Sequence, residues 1–369
     1  MFSEEQLYSI ALRRCYLIGD ITFHQLVRTF SSAKEIWEMP KKEFLKNNGI
    51  GRKMASEIGS SEHLKFAEQE LRFCEQQNIQ ILLRHQPGYP LLLLECVDAP
   101  AILYQKGEIR PFSKLVSIVG TRNMSEYGKY FINDFTNALK NSDFTTVSGL
   151  ALGVDTEVHL KSIEKNIPTI AVLAHGFHTL YPSKNKKLAT QILEKGGALL
   201  TEFNSSQKPD RENFIQRNRV IAGLSPATLI VETAFGGGSV STANFAVNYH
   251  RDVFALPGKI TDQYSQGCNQ LIFQNKAAAI STIKDLQKEL GILENKTEME
   301  ELFPIAKEEL QLSDNQLLIY NFLRLNPKIS LDEIAHQLEI PSYKILPEIL
   351  ELELLGKVKT YSGQRFSAL

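Results

Sequence analysis

Leu115 to Arg122 reads LVSIVGTR, and this stretch constrains the fold more than any other. Leu115, Val116, Ile118 and Val119 form an apolar, β-branched run that stops at Gly120, and a helical segment begins near Ser125. Buried strand, glycine turn and helix start together make the ligand-binding corner of an open α/β sheet, where ligands sit outside the carboxyl ends of the strands. Glycine lets the backbone approach a ligand, and the free N–H groups of a helix start favour an anion. The turn also carries Arg122, whose planar fork suits phosphate.

The same alternation continues through residues 111–280. Strands are expected at 145–147, 169–173, 198–201, 228–231 and 253–256, with helices at 125–140, from 155, at 185–195, at 214–225 and from 240. Alternating strands and helices require a mostly parallel sheet, which is an α/β fold. Several strands lead into small-residue loops: Ser148-Gly149 after one, Gly176 after another, and Gly237, Gly238 and Ser239 after a third. Gathered along one sheet edge, such loops let an extended polyanion reach the backbone. The plainer alternative is glycine placed after strands for packing.

Charge narrows the ligand. The whole chain has a net charge of −1, so any nucleic-acid binding must rest on a local patch. Between Tyr181 and Arg219 there are eight basic residues (Lys184, Lys186, Lys187, Lys195, Lys208, Arg211, Arg217, Arg219) and four acids (Glu194, Glu202, Asp210, Glu212). Tyr181 and Phe214 lie among them, and cations interleaved with aromatics suit single-stranded nucleic acid. Lys186 and Lys187 read as solvated helix residues. Arg217 and Arg219 have apolar flanks that imply burial, and a buried arginine needs a partner, either an acid such as Glu232 or a phosphate.

The remaining regions read as attachments to this core. The expected organisation is a helical N-terminal domain over residues 1–80, the core over 81–280, a charged linker over 281–311 and a compact unit over 312–369. Gly49 to Ile58, GIGRKMASEI, has the pattern of a helix–hairpin–helix whose amides hold a nucleic-acid phosphate, with Arg52 and Lys53 adding charge. The plainer and favoured reading is a tight helix–helix connection, with glycine supplying positive φ. Trp37 sits in an apolar helical pattern and reads as core. Residues 79–107 read as a strand, a Pro87-Gly88 turn, a second apolar run at Leu91 to Leu94 and a strand at Ile102 to Tyr104. The C-terminal unit reads as helices at 315–324, 331–338 and 342–355, then a hairpin turning at Ser362-Gly363, which makes a winged helix. Its third helix holds Glu348, Glu351 and Glu353 against Lys344. That opposes tight DNA binding, where phosphate neutralisation dominates affinity, and predicts a protein-contact or regulatory role instead.

Enzyme signatures are missing. There is no phosphate loop ending in Gly-Lys-Ser/Thr, no metal-ligand spacing and no nucleophile elbow. His175 and His178 lack a third ligand, Asp155 reads as a helix cap, and His159 reads as a packed residue. No cofactor and no catalysis are expected. The rival reading is a nucleotide or sugar-phosphate hydrolase, because Gly236 to Thr242 resembles the loop of lysine-decarboxylase-like phosphoribohydrolases. Thr242 is followed by Ala243, Asn244, Phe245 and Ala246, so the acid that chemistry needs is missing. The four cysteines are far apart and read as reduced thiols of a cytoplasmic protein. The first residues lack a signal-peptide pattern, and no run of about 18 apolar residues predicts a membrane span.

Six motifs, taken in order, resemble the DNA-processing protein A family (DprA, also called Smf). They are IVGTR at 118–122, VSGLALGVD at 147–155, TIAVLAHG with YP at 169–182, RNRVIAGLS at 217–225, VETAFGGGSVSTANFA at 231–246 and VFALPG with GCNQLI at 253–272. The resemblance implies an extended Rossmann-like core, a helical (helix–hairpin–helix or SAM-like) N-terminal domain and a C-terminal winged helix. It further implies an ATP-independent, non-enzymatic protein of natural transformation. Such a protein binds incoming single-stranded DNA, forms a homodimer, loads the RecA recombinase and helps RecA displace single-strand-binding protein. By resemblance Arg122 is the phosphate-binding arginine of the first loop, and Arg211 and Phe214 are the basic and aromatic pair that contacts the strand, with Lys184 and Lys208 as further matches. Arg217, Arg219, Ser148, Gly149, Gly237, Gly238 and Ser239 complete the expected DNA-binding set. Dimerisation is expected at the helix near Asn269 to Gln274, through Leu271 and Ile272. AHG replaces the LGxG of many members, and AFGGGS is longer than the usual loop, so these two loops depart from the family pattern.

Overall fold

The computed structural model describes residues 2–45, 51–109, 113–292, 312–361 and 365–368. They form two compact units, one ending at residue 292 and the other beginning at residue 312.

The first unit opens with helices α1 (Glu4–Arg14), α2 (Asp20–Phe30), α3 (Ala33–Glu38), α4 (Lys41–Phe44), α5 (Arg52–Glu57) and α6 (Ser61–Gln76). Ser3 and Gln6 cap α1 reciprocally, satisfying two N–H groups that a helix start leaves open. Trp37 is buried, as its pattern predicts. Met54, Ala55 and Ile58 are buried while Arg52 and Lys53 are exposed; Gly49 and Ile50 of the expected hairpin lie outside the described residues.

Among the described residues, nine strands then form one sheet. They are β1 (Ile79–Leu83), β2 (Ile102–Gly107), β3 (Lys114–Val119), β4 (Phe144–Ser148), β5 (Thr169–Val172), β6 (Ala198–Thr201), β7 (Ala227–Ile230), β8 (Asp252–Ala255) and β9 (Ala278–Ala279). Their order is β1-β2-β6-β5-β4-β3-β7-β8-β9. β1, β2 and β6 pair antiparallel, and every pair from β6 to β9 is parallel. Residues of β4 to β7 are buried throughout, as expected of strands covered on both faces.

The connecting helices are α7 (Leu91–Leu94), α8 (Glu126–Ala138), α9 (Val154–Glu164), α10 (Lys186–Glu194), α11 (Arg211–Leu224), α12 (Gly238–Asn248), α13 (Gln266–Phe273) and α14 (Ile283–Glu289). Alternate residues of β3 serve the two layers. Val116 and Ile118 pack with Ile132, Phe135 and Val158 of α8 and α9. Val119 packs with Val220, Ile221 and Ala243 of α11 and α12, and the Ser117 hydroxyl donates to Ile221 O on that same side.

Three expectations change. Leu91 to Leu94 is a single helical turn, not a sheet-like run, because the buried Arg84 guanidinium collects the carbonyls of Leu94, Cys96 and Val97 at its end. Residue 80 is not a break: Ile79, Ile81, Ile102 and Tyr104 share one core with the N-terminal helices. Residues 281–292 are not linker, since Leu286 of α14 is buried beside Phe135 and Ile280; 293–311 lie outside the described residues.

The second unit holds α15 (Asp314–Leu325), β10 (Ile329–Ser330), α16 (Leu331–Leu338), α17 (Ser342–Leu354), β11 (Val358–Tyr361) and β12 (Arg365–Ala368). Its strands pair in the order β10-β12-β11. Ile319, Leu323, Ile334, Ile345, Ile349 and Phe366 make its core. The expected Ser362-Gly363 turn lies outside the described residues. Among the described residues no helix is long and apolar enough to cross a membrane, and all four cysteines are free and buried.

Candidate nucleic-acid interface

Strand order reverses between β3 and β7, the place where an open α/β sheet leaves a crevice at its carboxyl edge. A groove of about 730 Å³ lies there. Its floor is Val119 to Arg122 and Thr233-Ala234; its walls are α11, the start of α12, and Tyr181.

The floor is held by close backbone packing. Thr121 N–H donates to Glu232 O at 2.6 Å, and Val154 N–H donates to Thr121 O at 3.1 Å. Gly153 has φ +79° and lies directly under Thr121 and Arg122, so any side chain there would collide with their backbone. The Glu232 carboxylate accepts from the Ser125 N–H at 2.8 Å and from its hydroxyl. That carboxylate therefore serves the start of α8 and not Arg217 or Arg219. The outcome is a pinned loop that presents the exposed Arg122.

α11 supplies the wall because its residues 211, 214 and 218 recur at helical spacing on one side. The Phe214 ring lies 5.3 Å from the Arg122 guanidinium and 5.8 Å from that of Arg217, and Tyr181 meets its edge at 5.8 Å. Tyr181 is held by its N–H, which donates to His175 Nε2 at 3.1 Å; His175 thus acts as a support. Arg217 is 4% exposed and donates to the carbonyls of Gly149 and Val172. Burial lowers its pKa to about 10, against the opposing effect of Asp155, so it stays charged at neutral pH. Burial in turn raises the Asp155 carboxyl, with Arg217 opposing. Asp155 is not the cap of α9: Gly153 holds that position, and the Asp155 carboxylate reaches back to the Ala151 N–H at 3.2 Å.

The opposite wall is the first turn of α12. Gly236 takes a left-handed turn at φ +67°, and the space above Gly238 is open. The Ser239 hydroxyl is buried and, among the described residues, has no partner. Unpaired helix N–H groups with an unpaired buried hydroxyl are what a phosphate oxygen satisfies. Among the described residues no carboxylate pairs with Arg122 or Arg211.

Other expected residues sit elsewhere. Ser148 is fully buried and donates to Ile118 O at 2.7 Å, so it braces β4 against β3. Gly149 lies beneath the Arg217 guanidinium, where a side chain would collide with it; its smallness makes room for an arginine, not for a ligand. Arg219 points away from the groove to Glu202, to Asp20 at 3.1 Å and to the Asp98 carbonyl. Lys184 and Lys208 are exposed but do not line the groove. Leu271 is 2% exposed within the core, so it is no surface contact; Ile272 is half-buried. Sequence reasoning left out Asn218 and Ile215 as lining residues. The spacing from Phe214 and Arg211 on α11 marks Asn218.

The family described as DNA recombination-mediator protein A matches residues 80–291, which include the whole groove. This chain belongs to that family. Protein Smf of Synechocystis sp. is 35% identical over 298 residues, covering 79% of this chain and 74% of that one. Protein Smf of Escherichia coli is 33% identical over 303 residues, covering 81% and 80%. Among solved structures, DNA processing protein A (DprA) from Streptococcus pneumoniae superposes with a TM-score of 0.64 at 27% identity, over 78% of this chain and 98% of that one. The Helicobacter pylori protein, whose structure is described as showing a single-stranded DNA binding mode, gives 0.52 at 27% identity, over 57% and 95%. Within this DprA/Smf family member, the expected α/β, Rossmann-like core is present, and five of the six motifs supply lining residues of the groove.

Proposed function

We propose that this DprA/Smf protein binds single-stranded DNA along the groove and does no chemistry on it. The observation that carries the reading is the Phe214 ring, flanked by Arg122 and Arg217 and lining the same groove as the start of α12. Bases stack on Phe214 while phosphates take Arg122, Arg211 and the Gly237-Gly238-Ser239 turn. Stacking and backbone charge are common to all sequences, so sequence preference is slight. The H. pylori relative's binding mode supports the reading.

The cellular role proposed is natural transformation in the cytoplasm, with RecA loaded onto the bound strand and single-strand-binding protein displaced. Self-association is proposed around Ile272, with the exposed Phe273 beside it and the short edge strand β9. Residues 1–80 are read as a helical region of the helix–hairpin–helix or SAM-like type and residues 312–368 as a winged helix.

A salt titration of binding to labelled oligo-dT tests the site. For a single strand, log K falls with log salt by about 0.7 per phosphate neutralised. Arg122→Ala/Arg211→Ala should bind more weakly with a shallower slope. Equal binding by both proteins overturns the site. If neither binds DNA while a mononucleotide raises the melting temperature, a nucleotide enzyme replaces this reading.

A further inference from the structure

α17 is the third helix of the second unit, and its outward side is apolar. Tyr343 is 72% exposed, Leu350 52% and Leu354 87%; Leu346 and Pro347 lie on the same side. These positions recur at i, i+3, i+4, i+7 and i+11, a continuous stripe along a helix about 20 Å long. The opposite side, Ile345, Ile349 and Leu352, fills the unit's own core, so the stripe is left over once the unit has folded. A DNA-reading helix would carry cations here, and this one carries Lys344 against Glu348, Glu351 and Glu353.

The charges beside the stripe select its occupant. Lys344 and Glu351 are seven residues apart, two turns along the same flank, and both are exposed. The Glu351 carboxylate is held in place by the Gln316 side-chain amide at 2.6 Å. A flank with a cation at one end and an anion at the other complements its own reversed copy. In an antiparallel pair about a two-fold axis, Lys344 meets the partner's Glu351 twice, and Tyr343 meets the partner's Leu354. A parallel pair would set Glu351 against the partner's Glu353, like charge on like. We propose that α17 is a second self-association surface, on which two copies of this chain pair antiparallel through the stripe. The contact is isologous, as a two-fold dimer requires. It is separate from the surface proposed around Ile272, so chains joined at both could assemble beyond the dimer.

Disulfide trapping in the full chain tests it. The native cysteines are buried and leave the introduced thiols as the reactive ones. Under mild oxidation, Tyr343→Cys/Leu354→Cys should give a covalent dimer roughly a hundredfold faster than either single variant, because pairing raises the local thiol concentration. An equal mixture of the two single variants should also cross-link. Leu350→Glu in the double variant should abolish trapping, while circular dichroism shows the unit still folded. Phe273→Glu should leave trapping intact, which separates this surface from the other one. Single variants that cross-link as fast as the double variant would show parallel pairing and overturn the proposal. So would a double variant no faster than Leu325→Cys, an exposed control in the same unit.

Discussion

Arg217 and Arg219 stand two positions apart on α11, both buried, and face opposite environments. Arg217 donates to the neutral carbonyls of Gly149 and Val172, has Asp155 as its neighbouring acid, and lines the groove. Arg219 is held by the carboxylates of Glu202 and Asp20, so its charge is spent inside the protein, beside a polar cleft of about 240 Å³ between α1 and α11. Partner chemistry, and not the arginine itself, decides which side of α11 attracts a polyanion. A count of basic residues along this segment therefore overstates the patch, because Arg219 is neutralised by an acid from the same segment and another from α2.

The largest expected effect is on the cleft side. Arg219→Ala leaves the Glu202 carboxylate without its hydrogen-bonded cation, while Asp20 keeps Arg13 at 2.9 Å, and should cost about 3–5 kcal/mol of stability in urea unfolding. Oligo-dT affinity of the folded protein should hold within about twofold, well under the tenfold that 1.4 kcal/mol represents. Lost binding with unchanged stability would reverse the assignment of the two arginines. On the groove side, Phe214→Ala should weaken oligo-dT binding by about 1–3 kcal/mol, the worth of one stacked base, with little change in unfolding. A stability loss without a binding loss would make Phe214 a packing residue.

Arg122→Ala alone should lower the salt slope by about 0.7, measured by the same titration. An unchanged slope would mean that Arg122 only cushions Phe214. A further expected effect on the cleft side concerns pH. Burial raises the Glu202 carboxyl to about 7, with Arg219 opposing. The folded state then holds this proton more tightly than the unfolded chain, so stability contributed by the protonated form is present below pH 4.5 and is lost as pH rises through 7. Glu202→Gln should flatten that decline in urea melts between pH 5 and 8. A steeper decline in the variant would mean the carboxylate is ionised in the folded protein.

The sheet and the groove were legible because their signals are local. β-Branched runs broken by glycine predict β3 to β8 within a residue or two at most ends, and LVSIVGTR marks the crevice floor. Trp37 and the three C-terminal helices follow from apolar periodicity alone. The failures share a different cause. Ser148 and Gly149 look like a ligand loop, yet one braces a neighbouring strand and the other makes room for an arginine 68 residues away. Leu271 is expected at a dimer contact by family resemblance alone, and the packing of α13 with β7 and β8 buries it instead. Leu91 to Leu94 is apolar enough for a strand, but carbonyl capping by a distant arginine settles it as a turn of helix.

The sequence by itself determined the alternation of strands and helices, the glycine turns, and the presence of arginines beside an aromatic residue on one helix. Those properties depend on neighbours within a few residues, where periodicity and backbone freedom act. Only the tertiary structure decided which cations stay free. Charge neutralisation depends on groups brought together across long separations, as Asp20 is brought to Arg219 from 199 positions away.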